Sequence, residues 1–253
     1  MKRFLEIVLD YQAFPKGIDL WEFCELSKYL TELEQLQKIR CTDTGRNIQV
    51  KNLNNHMIKT KLDSFRLRKF DLHPKEHVYI SFVNLLNEFG RFDVIGFEQL
   101  IEHWQVWLPK LLKHPSFVQA RIGFYDYDRQ QNWDDLYFYE REGIDHSHLP
   151  KVDNGKPFPI NQIVVDTSSN PGHWELRDDY IYGVGAMMWL GEHFFQRVNL
   201  DKQQVLDANW LEAEDCGEYV QIKAYPALFN SADGEQGELQ HKLKALLFAN
   251  ANE

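Results

Sequence analysis

Phe117-Val118-Gln119-Ala120-Arg121-Ile122-Gly123-Phe124-Tyr125-Asp126-Tyr127 carries apolar side chains at every second position: Val118, Ala120, Ile122 and Phe124. A period of two is the signature of a strand with alternating faces. Residues 136–141, where Tyr137 and Tyr139 alternate with Leu136 and Phe138, read as the return strand of a hairpin across the polar loop 128–135. Upstream, Phe97, Leu100, Ile101, Trp104, Leu108, Leu111 and Leu112 recur at helical spacing, which predicts a helix over 96–113 kinked at Pro109.

Working outward, residues 5–11 read as a first strand. Asp19, with Glu22 three positions on, has the pattern of a capping box opening a helix over 19–37. Asp43-Thr44-Gly45 marks a turn between two short polar strands. Residues 52–76 read as irregular and basic, and 77–86 as an apolar strand or a buried helix. Residues 142–160, with Gly143, Pro150, Gly155, Pro157 and Pro159, read as loop. Strands are expected at 163–165, 174–182, 186–190 and 218–225, and helices at 201–208 and 235–249. A strand-heavy second half without a βαβ series predicts an α+β fold, a largely antiparallel sheet with several flanking helices. One domain over residues 1–253 is expected, with a candidate subdomain boundary near 142–160.

The chain has 253 residues, 43% hydrophobic and 14% aromatic, which excludes intrinsic disorder. No apolar run is long enough for a transmembrane helix. Glu6 and Asp10 interrupt the apolar N-terminal stretch, so it reads as a strand and not as a signal peptide. Cys24, Cys41 and Cys216 are widely spaced and form no CxxC, as expected of free thiols in a reducing cytoplasm. The net charge of −10 is unevenly spread: residues 1–125 sum to +3 and residues 126–253 to −13. The acidic half disfavours phosphate backbones and suits a basic partner.

No local pattern settles a chemistry. Asp145-His146-Ser147-His148 offers two histidines and an acid on one loop, the runner-up reading as a metal site of a hydrolase, but no third or fourth ligand is evident elsewhere. Ser147 beside His146 lacks the GxSxG elbow, and Gly183-Val184-Gly185 lacks the third glycine of a dinucleotide fingerprint. Asp178-Asp179 with Glu175, and Glu212, Glu214 and Asp215, are paired carboxylates that also suit turns. The basic segment 59–75 reads as a surface facing the acidic half of the same molecule. Trp133, set among acids and amides, has the composition of an interface anchor. The candidate partner-binding residues are therefore Asp126, Asp128, Trp133, Asp134, Asp135, Glu140 and Glu142. No cofactor, nucleic acid or membrane is expected, and the aromatic content also permits a non-catalytic oligomeric scaffold.

Asn170-Pro171-Gly172, Tyr180-Ile181, Gly185-Ala186-Met187-Met188-Trp189-Leu190-Gly191, Phe194-Phe195 and Asn209-Trp210-Leu211 resemble bacterial proteins encoded beside secreted toxins. Such proteins resemble immunity proteins of polymorphic-toxin and type VI secretion systems. The likeness lies in residues 170–211 and, loosely, in the C-terminal third. These residues form a turn, a bend and packing aromatics, so no functional residue carries over. The resemblance implies a cytoplasmic binding protein, without catalysis of its own, that occludes the active site of a cognate toxin. A toxin with a basic active-site cleft would be steered to an acidic face.

Overall fold

The computed structural model describes residues 1–11, 13–70, 72, 76–85, 89–177 and 179–251. The strands are β1 (Arg3–Asp10), β2 (Lys38–Cys41), β3 (Arg46–Gln49), β4 (Phe65–Lys69), β5 (Tyr79–Leu85), β6 (Phe89–Ile95), β7 (Phe117–Phe124), β8 (Lys151–Asp153), β9 (Ile163–Val165), β10 (Glu175–Leu176), β11 (Ile181–Tyr182), β12 (Met187–Gly191), β13 (Glu212–Asp215) and β14 (Tyr219–Lys223). The helices are α1 (Gly17–Phe23), α2 (Leu26–Glu32), α3 (Leu53–Thr60), α4 (Glu98–Glu102), α5 (Trp104–Trp107), α6 (Pro109–Leu112), α7 (Tyr125–Gln131), α8 (Leu136–Glu142), α9 (Glu192–Arg197), α10 (Lys202–Leu206) and α11 (Gly234–Leu247).

Ten of these strands make one antiparallel sheet in the order β13-β14-β12-β7-β1-β6-β5-β4-β2-β3. The fold is thus α+β, as expected, although β1–β7 all lie within residues 3–124 and are on the whole longer than β8–β14, so the second half is not the strand-heavy one. β1 lies near the middle and is buried on both faces. Its Leu5, Ile7 and Leu9 enter one core, built with Trp21, Leu30, Phe65, Phe82, Phe92, Trp107 and Trp189. Its Val8 enters a second core on the opposite face, with Val118, Met188, Leu190, Phe194, Val220 and Leu243. Alternation along a strand sends neighbours to opposite faces, so one sheet serves both cores.

Several expectations are corrected. The 117–127 strand does not turn into a hairpin: β7 pairs with β1 and β12, and residues 136–142 form α8. Local caps decide this. The Asp135 side chain accepts from Tyr137 N at 2.9 Å, and Gly143 closes the helix with φ 68°. The 96–113 helix is three short helices, and Pro109 opens α6 instead of kinking a longer one, because the first turn needs no proline N–H. The 19–37 helix is broken between α1 and α2 by Glu25, whose φ is 53°. Asp19 is the third residue of α1 and accepts from Lys16 N at 3.1 Å, so it closes the capping box without being the cap.

The basic stretch is not irregular, since it contains α3 and β4. Within the acidic half it does not face the edge strand β13, which lies at the opposite end of the sheet from β4 and β2. Lys75 of that stretch, Leu86 of the 77–86 segment and Asp178 lie outside the described residues.

Candidate functional site

The sheet face that carries the second core also carries charge. Glu6 on β1 stands directly opposite Asp93 on β6 and Arg121 on β7. Ser81 on β5 stands opposite Asp93. Arg91, two residues from Asp93 on β6, shares this face. The chain leaves β7 straight into α7, which brings Asp128 over the same strands.

These five charges form one network. Arg121 Nε donates to Glu6 Oε2 at 2.7 Å, and Arg121 Nη1 donates to Asp128 Oδ1 at 2.9 Å. Arg91 Nε donates to Asp93 Oδ1 at 3.0 Å. Arg91 Nη2 lies 2.6 Å from Glu6 Oε1, a close ion pair off the axis of a hydrogen bond. Trp174 Nε1 donates to Asp128 Oδ2 at 3.1 Å. The network bridges strands that a charge-free sheet would hold with apolar pairs.

Two buried carboxylates, Glu6 and Asp93, and the partly buried Asp128 face two guanidinium groups, so their proton affinities diverge. Burial raises the Glu6 carboxyl, but Arg121 and Arg91 outweigh it and hold Glu6 below the usual range. Burial pushes Asp93 up, and the Glu6 charge adds to this against the pull of Arg91. Burial also raises Asp128, again against Arg121. A carboxyl whose folded value is raised holds its proton more tightly when folded, so its contribution to stability falls as pH rises through that value. Acidifying from neutrality into the ordinary carboxylate range therefore stabilises through Asp93 and Asp128, until Glu6 is protonated and its ion pairs are lost. We expect Asp93→Asn to flatten this rise. Urea midpoints measured from neutral to mildly acid pH check it, because relief of the overall negative charge is common to both proteins. Parallel profiles for wild type and variant would refute the assignment.

The network floors a cleft of about 330 Å³ whose walls are aromatic. Arg91 lies 5.3 Å from the Trp174 ring centre, and Arg121 lies 5.0 Å from that of Phe4. Arg129 stands 4.8 Å over Trp133, which stacks on Phe138 at 6.2 Å. Tyr79 and Tyr125 complete the lining. Burial raises the Tyr79 hydroxyl to about 12.

The sequence-chosen residues are divided by this geometry. Asp128 is a partly buried member of the network, turned inward to Arg121, and not part of an exposed acidic face. Trp133 is a half-buried cleft wall. Asp135 caps α8. Asp126, Asp134, Glu140 and Glu142 are exposed on α7, α8 and their connection, with Glu142 paired to Arg141 at 2.7 Å.

Asp145, His146 and His148 do not converge. Asp145 accepts from Ser147 N and Oγ, His148 Nδ1 lies 3.8 Å from Asp145, and His146 Nε2 turns to Glu140 at 4.0 Å. Among the described residues, no group of three or more His, Cys, Asp or Glu side chains is placed to hold a metal ion. Glu175 pairs with Arg177 at 2.7 Å, and Asp179 with Arg197 at 2.8 Å. Glu212, Glu214 and Asp215 lie along edge strand β13, where Lys202 reaches Asp215 at 2.7 Å.

Sequence reading missed Glu6, Arg91, Asp93 and Arg121. The available signal was a charge inside an apolar strand, as in Phe4-Leu5-Glu6-Ile7-Val8 and Ala120-Arg121-Ile122. A strand buried on both faces has no solvent side to receive such a charge, so it must find partners inside.

Beside the cleft, β8 and β9 form a separate two-stranded arm. Val165 N donates to the Asp134 carbonyl at 2.8 Å, which ties the arm to the α7–α8 connection. The loop joining its strands exposes Phe158 at 87% and Ile160 at 60%. Among the described residues, no helix is long and apolar enough to cross a membrane.

No protein-family model matches the chain, and no curated protein matches it. Among solved structures it is similar to the Pseudomonas aeruginosa T6SS protein PA0821, with a TM-score of 0.53 and 9% identity over 99% of this chain and 75% of that one. At that identity the likeness is one of fold.

Proposed function

We propose that the chain is a cytoplasmic immunity-type protein that acts by binding, without catalysis, and neutralises a cognate secreted toxin by covering its active site. The observation that carries this reading is the β8–β9 arm. It holds Phe158 and Ile160 in water, and Val152 and Ile163 are also more than one-third exposed. Exposed apolar side chains gathered on one projecting element mark a protein contact. The arm is hydrogen-bonded to the segment that carries exposed Asp126, Asp134 and Glu140. An apolar centre with a charged rim is the anatomy of a protein interface, and the acidic rim suits a toxin with a basic cleft. The fold shared with a T6SS protein supports a role in the same setting.

Co-expression with the product of the neighbouring gene tests the reading. Growth arrested by that product alone should be restored by this chain. Phe158→Asp should weaken the complex by roughly thirtyfold, the effect of losing an interface anchor, with an unchanged thermal melt. A product that is harmless alone, or toxic despite this chain, sinks the proposal.

A further inference from the structure

The sheet face that holds the ionic network continues beyond it toward β4, β2 and β3. Register carries it there: Ser81 is opposite Arg66, Tyr79 is opposite Arg68, and Arg68 is opposite Arg40. The intervening residues Phe65, Leu67, Ile39 and Cys41 point to the other face and are buried in the first core. The second core covers this face from β14 to β6, where Phe89 joins it, and has no member on β2, β3 or β4, and Lys38, Arg40 and Arg66 are exposed. β2, β3 and β4 contain six cationic residues and no carboxylate.

Arg40 stands directly opposite Arg68, and like charges on cross-strand neighbours repel. Arg68 is held by the Glu76 carbonyl at 2.7 Å. Arg66 lies 4.9 Å over the Tyr79 ring, and Arg129 lies over Trp133 across the cleft. Among the described residues, neither Arg66 nor Arg129 has a carboxylate within ion-pair distance. The Trp133 indole N–H in the cleft wall is buried without an acceptor. Two guanidinium groups without a carboxylate call for an anionic acceptor, and the orphan N–H for an acceptor of any kind.

We propose that this basic half-face, Lys38, Arg40, Arg66 and Arg68 leading to Arg129 and Trp133, is the docking surface for an acidic segment of a partner protein. A carboxylate fits the donors, because the guanidinium fork takes two oxygens at once. A nucleic acid fits less well. The rings on which bases would stack already carry cations: Arg66 on Tyr79, Lys2 on Tyr125 and Arg129 on Trp133. This surface is distinct from the acidic, apolar one assigned above, and it stands or falls on different residues.

The test is a fluorescence-anisotropy titration with an aspartate-rich peptide and, separately, an oligothymidylate of the same length. The peptide should bind at low salt and release as salt rises. Arg40→Gln with Arg66→Gln, and Arg66→Gln with Arg129→Gln, should each weaken it about tenfold or more while thermal melts stay unchanged. Failure of the peptide to bind overturns the proposal, as does equal binding by the variants. Tighter binding of the oligothymidylate overturns it in favour of nucleic acid. A dimer in light scattering that either variant dissolves overturns it in favour of a second copy of this chain.

Discussion

Arg121→Ala should cost about 3–5 kcal/mol of folding stability in urea denaturation, the expected effect of removing one partner from a buried ion pair. Arg121 is 3% exposed and serves two acids at once, Glu6 and Asp128. Truncation leaves both facing a low-dielectric interior with half their partners gone. It also strips the guanidinium from its place between Phe4 and Trp174, so packing is lost with charge. The companion double variant, Arg121→Met with Glu6→Leu, should be less damaging than the sum of its single changes, because it removes an acid together with its base. It will not be neutral, since Arg91 loses one carboxylate and Asp128 loses its cation. A loss below about 1 kcal/mol for Arg121→Ala would mean that water reaches the network freely and that its burial is overstated.

The network also explains which parts of this protein were legible as sequence. The β2–β3 hairpin, β14 and α11 follow from turn residues and period, because each has one face in a core and one in water. β12 was also found, although it is buried on both faces, because its run of Met and Trp bounded by glycines reads as a buried strand. β6 had no such signal. Its Arg91 and Asp93 interrupt the apolar pattern that defines a strand; they pair with each other, and Arg91 also needs Glu6, 85 positions away. Glu6 likewise meets Arg121 from 115 positions away. Charge asymmetry between the two halves was real, but placing it needed the strand order. That order puts β13 at one edge of the sheet and the basic strands at the other. Asp128 shows the limit most plainly: in sequence it is one acid among several on a polar stretch, and only the path from β7 into α7 turns it inward.

Trp189→Ala should cost a comparable amount, about 3–5 kcal/mol, by the combined loss of buried area and creation of a cavity. Trp189 is fully buried in the first core, while its neighbours Met188 and Leu190 sit in the second. β12 is thus a wall between two cores, with no solvent side to absorb a repacking. The indole stands edge-on to Trp104 at 4.7 Å, which fixes the broken helical stretch α4–α6 against the sheet. Its Nε1 donates at 3.0 Å to Gln221 Oε1, directly opposite on β14. The neighbouring Gly191 leaves β12 no freedom to shift, since a side chain there would meet the Phe117 carbonyl oxygen at 2.5 Å. Trp189→Phe separates the two contributions. It keeps a ring against Trp104 and leaves the Gln221 acceptor without its donor, so about 1–3 kcal/mol should be lost. Guanidinium denaturation followed by far-ultraviolet circular dichroism reads both variants without relying on the remaining tryptophans. If phenylalanine proves as costly as alanine, the hydrogen bond and not the packing holds β12 in place. If alanine costs less than about 1.5 kcal/mol, the cavity collapses and the two cores are not rigidly joined through this strand.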